Sequence, residues 1–234
     1  LFLIVKIFCM GFKFSDENIY FYMGKLILQG YLPYQDFFFA SPPLQILIIS
    51  GFLGLFSSKV ILLKLIPIFA SVISSVFIFA ILKKKFSSLH GLLASTLYLF
   101  SFVVLATTDH STGIHLTTMF LVICCYFLYE KKYFIAGIFA SLALLTRLYS
   151  AIAIIGLLIY LLIANRKAIL KFILGIAVVF IPVNALLILI FKSNYLTPVF
   201  LYHLLKSAGI SKASIFAFFI KWDILLVVLS LTSI

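Results

Sequence analysis

The sequence predicts an all-α fold: a polytopic transmembrane helical bundle of about eight spans with an outer juxtamembrane helical loop. Three observations predict it. Hydrophobic residues make up 65% of the 234 and charged residues 10%, whereas a soluble domain carries about 25% charged residues. Mean hydropathy is +1.29. Apolar runs recur near the ~20-residue length of a membrane helix, and short basic clusters separate them. No stretch is polar enough for a soluble domain, so 1–234 reads as a single membrane-embedded module. The first residue is Leu1, and the first and last apolar runs look cut short; both ends are expected to be truncated.

In chain order the expected spans are Leu1 to Phe14 (truncated), Val60 to Leu82, His90 to Thr107, Ile114 to Tyr129, Tyr133 to Thr146, Tyr149 to Ala164, Ala168 to Phe191, and Trp222 to Ile234 (truncated). Tyr133 to Thr146 is short for a span. Leu44 to Phe56 is about two-thirds of the needed length, follows Pro42-Pro43 and contains Gly51 and Gly54. It is expected to lie as a juxtamembrane helix on the outer surface.

Charge placement orients these runs. Lys83 to Lys85, Lys131 with Lys132, and Arg166 with Lys167 and Lys171 all fall on one side if Leu44 to Phe56 does not span. By the positive-inside rule that side is cytoplasmic. The net charge of +12 then reports topology and not nucleic-acid binding. The outer side collects Asp16, Glu17 and Asp36 in the first loop, Asp109, His110 and His115 in the turn TTDHSTGIH, Arg147 at the third turn, and His203 with Lys206 in the segment 192–221. A plasma-membrane protein with its chemistry on the extracytoplasmic face follows. The three cysteines form no framework and read as small buried hydrophobes. There is no phosphate loop, HExxH or paired CxxC, which argues against a nucleotide-driven engine.

Acids beside a bilayer core mark functional sites, and three of the chain's six lie between Ser15 and Pro43. Ser15 suits a helix N-cap, Asp16 and Glu17 its first turn, and Gly30 its stop. Ile19, Tyr22, Met23, Leu26 and Ile27 form an apolar stripe at helical spacing. Asp16 projects onto the edge of that stripe and is expected to face protein; Glu17 points away from it and is expected to face water or a second ligand. Both acids also fit a plain capping role, and Asp109 fits a cap on the helix that follows it.

An outer-face enzyme has no access to cytoplasmic nucleotide sugars and would draw on an anionic lipid carrier. Its phosphate needs cations, for which Arg147, His203 and Lys206 are available; Arg binds two oxygens at once through its planar fork. Arg147 equally suits an interfacial anchor. An acceptor hydroxyl needs a base, with Asp16 first and Glu17 next. Asp109, His110 and Asp36 complete the candidate donor- and acceptor-binding set. The histidines are too loosely spaced for zinc, so no metal or other cofactor is expected.

An Asp-Glu pair after the first span, an amphipathic helix ending in Gly, and then PYQDFFFASPPL together resemble the first outer loop of the GT-C membrane glycosyltransferases. The similarity is to the branch of protein O-mannosyltransferases and aminoarabinose transferases. LALLTR, from Leu142 to Arg147, resembles the segment that carries a basic residue near the donor phosphate; Ala106 to Thr112 resembles the second acidic turn; YHLLKSAG, from Tyr202 to Gly209, resembles an outer-loop segment of archaeal members. The resemblance implies a polyprenyl-phosphate-linked sugar donor, inversion at the sugar carbon, and Asp16 as general base. It implies a protein, lipid or glycan acceptor and surrounding membrane lipids as partners. Two positions depart from the pattern: Ala40-Ser41 replaces a Glu-Lys pair found in some relatives, and Asp109-His110 replaces spaced acids. A transporter or flippase, and an assembly subunit without chemistry, are the competing readings. The first expects matching broken-helix halves, which are not evident; the second leaves the clustering of outer acids unexplained.

Overall fold

The computed structural model describes residues 1–11, 16–56 and 59–202, with Ser214, Ala217, Lys221 and Ile224 as isolated helical positions. The described chain is all-α, as the composition predicts. Its helices are α1 (Phe2–Phe8), α2 (Glu17–Leu28), α3 (Leu44–Leu55), α4 (Leu65–Lys85), α5 (Ser88–Phe100), α6 (Phe102–Thr107), α7 (Ile114–Tyr129), α8 (Tyr133–Thr146), α9 (Ala151–Ala164), α10 (Arg166–Phe191) and α11 (Ser193–Leu196). The expected N-cap Ser15 and most of the span Trp222 to Ile234 lie outside the described residues.

Among the described residues, two helical stretches alone have spanning length and composition: Val60–Lys85, which is α4 with its leading 3-10 turn, and Arg166–Phe191. Each has 26 residues, or about 39 Å at 1.5 Å per residue. The other apolar helices are shorter. The run His90 to Thr107 is not one helix: Ser101 adopts φ −62°, ψ 146° and divides it into α5 and α6. Tyr149 to Ala164 opens with a 3-10 turn, Leu148–Ser150, before α9.

Helix α8 is the centre of the bundle, packed between α7 and α10. Ala136 and Ala140 of α8 belong to one core cluster with Cys124 and Leu128 of α7, Ile154 and Leu161 of α9, and Ala168 and Phe172 of α10. Small residues let backbones approach where lipid, and not water, is the competing solvent. Gly137 and Gly175 carry this furthest: a Cβ on Gly137 would lie 2.9 Å from the Gly175 Cα and would overlap the Phe172 carbonyl. Cys124 is buried as expected, but Cys9 is exposed.

The site end of the fold differs from the sequence reading in the buried face of α2. The buried face of α2 is Glu17, Phe21 and Gly24, while Ile19 and Tyr22 of the expected stripe are exposed. The residue spacing was helical, but Gly24 draws α3 against α2: its missing Cβ would come within 2.6 Å of Ile49. That approach rotates the face selected for burial by about one residue. Helix α3 has 12 residues, too few for a bilayer core of roughly 30 Å. One face of it is packed into the bundle, while Leu47 and Leu55 stay exposed. Gln45, Ile46, Ile49, Ser50 and Leu53 are buried, with Ile49 and Leu53 packed on Phe21, Leu63, Ile66 and Leu116.

The bundle has two chemically distinct ends. At one, Lys84 bonds Glu130 at 2.6 Å and Asn165 donates to the Tyr133 hydroxyl at 3.1 Å, which brings the three basic clusters together. The opposite end holds the start of α2, the start of α4, the turn before α7 and the end of α8.

Candidate functional site

The site begins at the first turn of α2. Asp16 occupies the N-cap position with helical dihedrals, φ −55° and ψ −22°, and makes no side-chain cap bond. Adjacent helical residues point about 100° apart, so the two acids face different surroundings. Their assignment is the reverse of the sequence expectation. Glu17 is 0% exposed and faces protein; Asp16 is exposed and lines a cleft. The cause is Lys64, whose ammonium lies 2.7 Å from Glu17 Oε1, with both side chains fully buried. An ion pair of this kind supplies the Coulomb term that burial of a lone carboxylate lacks.

The turn before α7 receives this pair. Lys64 Nζ also donates to the Asp109 carbonyl at 3.0 Å. The Ser111 N–H donates to Glu17 Oε2 at 3.2 Å, the Ser111 hydroxyl donates to the Leu63 carbonyl at 2.8 Å, and Gln45 donates to the Ser111 carbonyl at 2.9 Å. Asp109 is itself buried; its Oδ1 stands 3.4 Å from Lys6 Nζ and 3.8 Å from His110 Nε2. It does not cap α7. The N-cap there is Gly113 in the left-handed region, φ 84°, a conformation that favours glycine. His115 is held between the Ser71 and Thr107 hydroxyls at 3.0 Å each. Among the described residues no three His, Cys, Asp or Glu side chains gather in a metal-binding group.

Arg147 closes the site from the end of α8. Helix α8 stops at Thr146, and Arg147 turns to extended dihedrals, φ −151° and ψ 122°, which swings its side chain across the bundle end. Its Nε donates to the Thr112 carbonyl at 2.9 Å, and Nη2 also bonds that carbonyl. Nη1 donates to the Ser41 hydroxyl at 2.8 Å and Nη2 to the Tyr20 hydroxyl at 2.9 Å. The guanidinium lies 5.1 Å from the Tyr20 ring centroid, within cation–π range. Such anchoring to three elements is more than an interfacial snorkel needs. Ser41 and Tyr20 each accept a hydrogen bond from Arg147, which leaves their own O–H groups available to donate.

Two clefts meet at this arginine. One, of about 270 Å³, is lined by Asp16, Tyr20, Met23, Phe39, Ser41 and Arg147 among others. The second, of about 350 Å³, has Ala40, Pro42, Leu148, Tyr149, Val199 and Phe200 around the same Ser41 and Arg147. Its wall is mostly apolar. The loop between α2 and α3 lines both through Ala40 and Ser41 and is tied by the Tyr34 hydroxyl, which donates to the Ser41 carbonyl at 2.8 Å. Burial, and then the neighbouring Tyr195, push the Tyr34 hydroxyl well above the ordinary tyrosine range, which keeps the proton in that bond.

The structure therefore brings Asp16 and Arg147 into one cleft and places Glu17 behind it. Asp109 and His110 lie in the adjoining turn. Asp36 is apart: its Oδ2 accepts from the Leu32 N–H at 2.7 Å, and it lines a separate open groove with Gln35, Ser193 and Asn194. His203 and Lys206 lie outside the described residues. Sequence reasoning missed Lys64, Ser111, Ser41 and Tyr20 as parts of the site. A lysine at the head of an apolar run was the available signal for Lys64, since such a charge implies a buried partner. Nothing in the local sequence distinguishes Ser41 or Tyr20.

No curated protein and no solved structure matches the chain. A family model does, that of the dolichyl-phosphate-mannose-protein mannosyltransferases, over residues 40–191. The match runs from the Ser41 loop through the Lys64 and Asp109 elements and Arg147 to the end of α10, about two-thirds of the chain. With an all-α, strongly apolar bundle in the same region, this shows that the chain belongs to the dolichyl-phosphate-mannose-protein mannosyltransferase family, membrane-integral glycosyltransferases.

Proposed function

We propose that this protein transfers a sugar from a polyprenyl-phosphate carrier to an acceptor hydroxyl, with inversion, and that Asp16 is the general base. The observation that carries the reading is the shared cleft of Asp16 and Arg147. A carboxylate exposed to the cleft takes the acceptor proton. The acceptor oxygen then attacks the sugar's anomeric carbon from the face opposite the phosphate. The bond from that carbon to the phosphate oxygen breaks, and the lipid phosphate leaves with the electron pair. The anomeric configuration inverts because attack and departure are on opposite faces.

Arg147 offsets the charge that grows on the departing phosphate, and the Ser41 and Tyr20 hydroxyls add donors beside it. Charge-assisted bonds of this kind are about twice as strong as neutral ones. The apolar cleft on the far side of Arg147 suits the first isoprene units of the carrier. No step needs a metal ion, and the acceptor is a hydroxyl of a protein, lipid or glycan. The end with Lys84, Lys132 and Arg166 is cytoplasmic by the positive-inside rule. The Asp16 cleft then opens on the extracytoplasmic face of the plasma membrane.

The test is direct. The chain reconstituted in liposomes is supplied with a polyprenyl-phosphate sugar and a panel of hydroxyl acceptors. The expected products are free polyprenyl phosphate and a glycoside of inverted configuration. Retained configuration, or no release of polyprenyl phosphate with any acceptor, contradicts the reading.

A further inference from the structure

Asp16 makes no side-chain bond to its own helix end, so its direction depends on how the first turn of α2 is held. That turn is gripped through the next residue. Glu17 is fixed at both oxygens, one by Lys64 at 2.7 Å and the other by the Ser111 N–H at 3.2 Å. The turn that supplies Ser111 also supplies the Thr112 carbonyl that holds Arg147 at 2.9 Å. Two neighbouring residues of one turn thus hold the acid side and the cation side of the cleft. Lys64 locks the turn from behind through the Asp109 carbonyl at 3.0 Å, and Gln45 from the side through the Ser111 carbonyl.

We propose that Lys64 is a positioning residue: by pinning Glu17 against the 109–113 turn, it sets the separation between Asp16 and Arg147. It touches neither substrate. The inference rests on the proposed role of Asp16. Physical magnitudes favour a positional effect over a purely stabilising one. Replacing a buried ion pair by neutral residues of similar size is often close to neutral for stability, whereas a displacement of about 1 Å at a reacting group costs about 100-fold in rate. A pair kept for stability alone would be replaceable; a pair kept for position would not.

The test is a cycle with the full chain in liposomes, measuring turnover, donor KM and thermal midpoint. Glu17→Gln/Lys64→Met removes both charges together and avoids a lone buried ion. This variant is expected to insert, to keep its thermal midpoint and donor KM, and to lose about 10- to 100-fold in turnover. In an Asp16→Asn background the same change is expected to cost nothing further, because a group that acts only by aiming Asp16 has nothing left to aim. Equal losses in both backgrounds, or a double variant with normal turnover, would overturn the proposal; so would parallel loss of midpoint, KM and turnover, which marks a merely structural pair. Failure of the proposed function is separable: it shows as normal turnover in Asp16→Asn alone, whatever the pair does.

Discussion

The Lys64 ammonium lies 2.7 Å from the Glu17 carboxylate, and neither side chain has any exposed surface. The two residues are 47 positions apart, and their contact joins the entry of α2 to the entry of α4. Removing one partner leaves a buried charge unpaired, which costs roughly 3–5 kcal/mol. Lys64→Met is therefore expected to be much less stable than Glu17→Gln/Lys64→Met. Thermal unfolding in detergent checks it: a single variant as stable as the double one shows that the pair is not closed to water.

The Gly137–Gly175 crossing makes a second stability prediction. Any side chain at 137 meets the Phe172 carbonyl and the Gly175 backbone, none of which can yield. Overpacking typically costs about 1–3 kcal/mol, and Gly137→Leu should cost at least that by separating α8 from α10. Gly156, with nothing within 4 Å of its Cβ position, is the control. Gly156→Ala should leave the thermal midpoint unchanged while Gly137→Leu lowers it by several degrees or prevents accumulation.

Part of this was legible in the sequence and part was not. Composition and run length were enough for the all-α membrane bundle, and alternation of charge was enough to sort Lys84 and Arg166 from Asp16 and Arg147. Arg147 stood out as a lone guanidinium at the end of an apolar run. The choice between Asp16 and Glu17 went the wrong way in orientation. Periodicity locates a helical face only to within about a residue, and here a backbone approach at Gly24 and a charge 47 positions away decided it. The break at Ser101 was likewise invisible, because a run's hydropathy says nothing about a single extended residue.

Arg147 offers the clearest binding prediction. Its fork spans the Thr112 carbonyl, Ser41 and Tyr20, and a lysine keeps the charge but lacks the planar fork that spaces these bonds. A hydrogen bond involving a charged group is worth about 1.5–3 kcal/mol, or roughly 10- to 100-fold. Arg147→Lys should raise the KM for a lipid-linked sugar by about 10-fold, and Arg147→Ala by more. Donor KM unchanged in both variants would reduce Arg147 to a structural clamp.

The two ends of the bundle predict a labelling pattern. Single cysteines at Asp36 and Lys84, in a background with the native cysteines replaced, are to be treated in intact cells with an impermeant thiol reagent. Position 36 is expected to react and position 84 to react only after permeabilisation. The reverse pattern places the Asp16 cleft in the cytoplasm and contradicts the extracytoplasmic assignment.

The most direct measurement is turnover of Asp16→Asn in liposomes with a polyprenyl-phosphate sugar, beside donor binding in the same samples. Asn keeps the size of the side chain and its place in the cleft but takes no proton. General base catalysis contributes roughly 100- to 10,000-fold, so turnover should fall by about that factor while donor binding is retained. Glu17→Gln, which removes charge from behind the cleft and not within it, should cost less. Near-normal turnover in a correctly inserted Asp16→Asn protein would contradict the account.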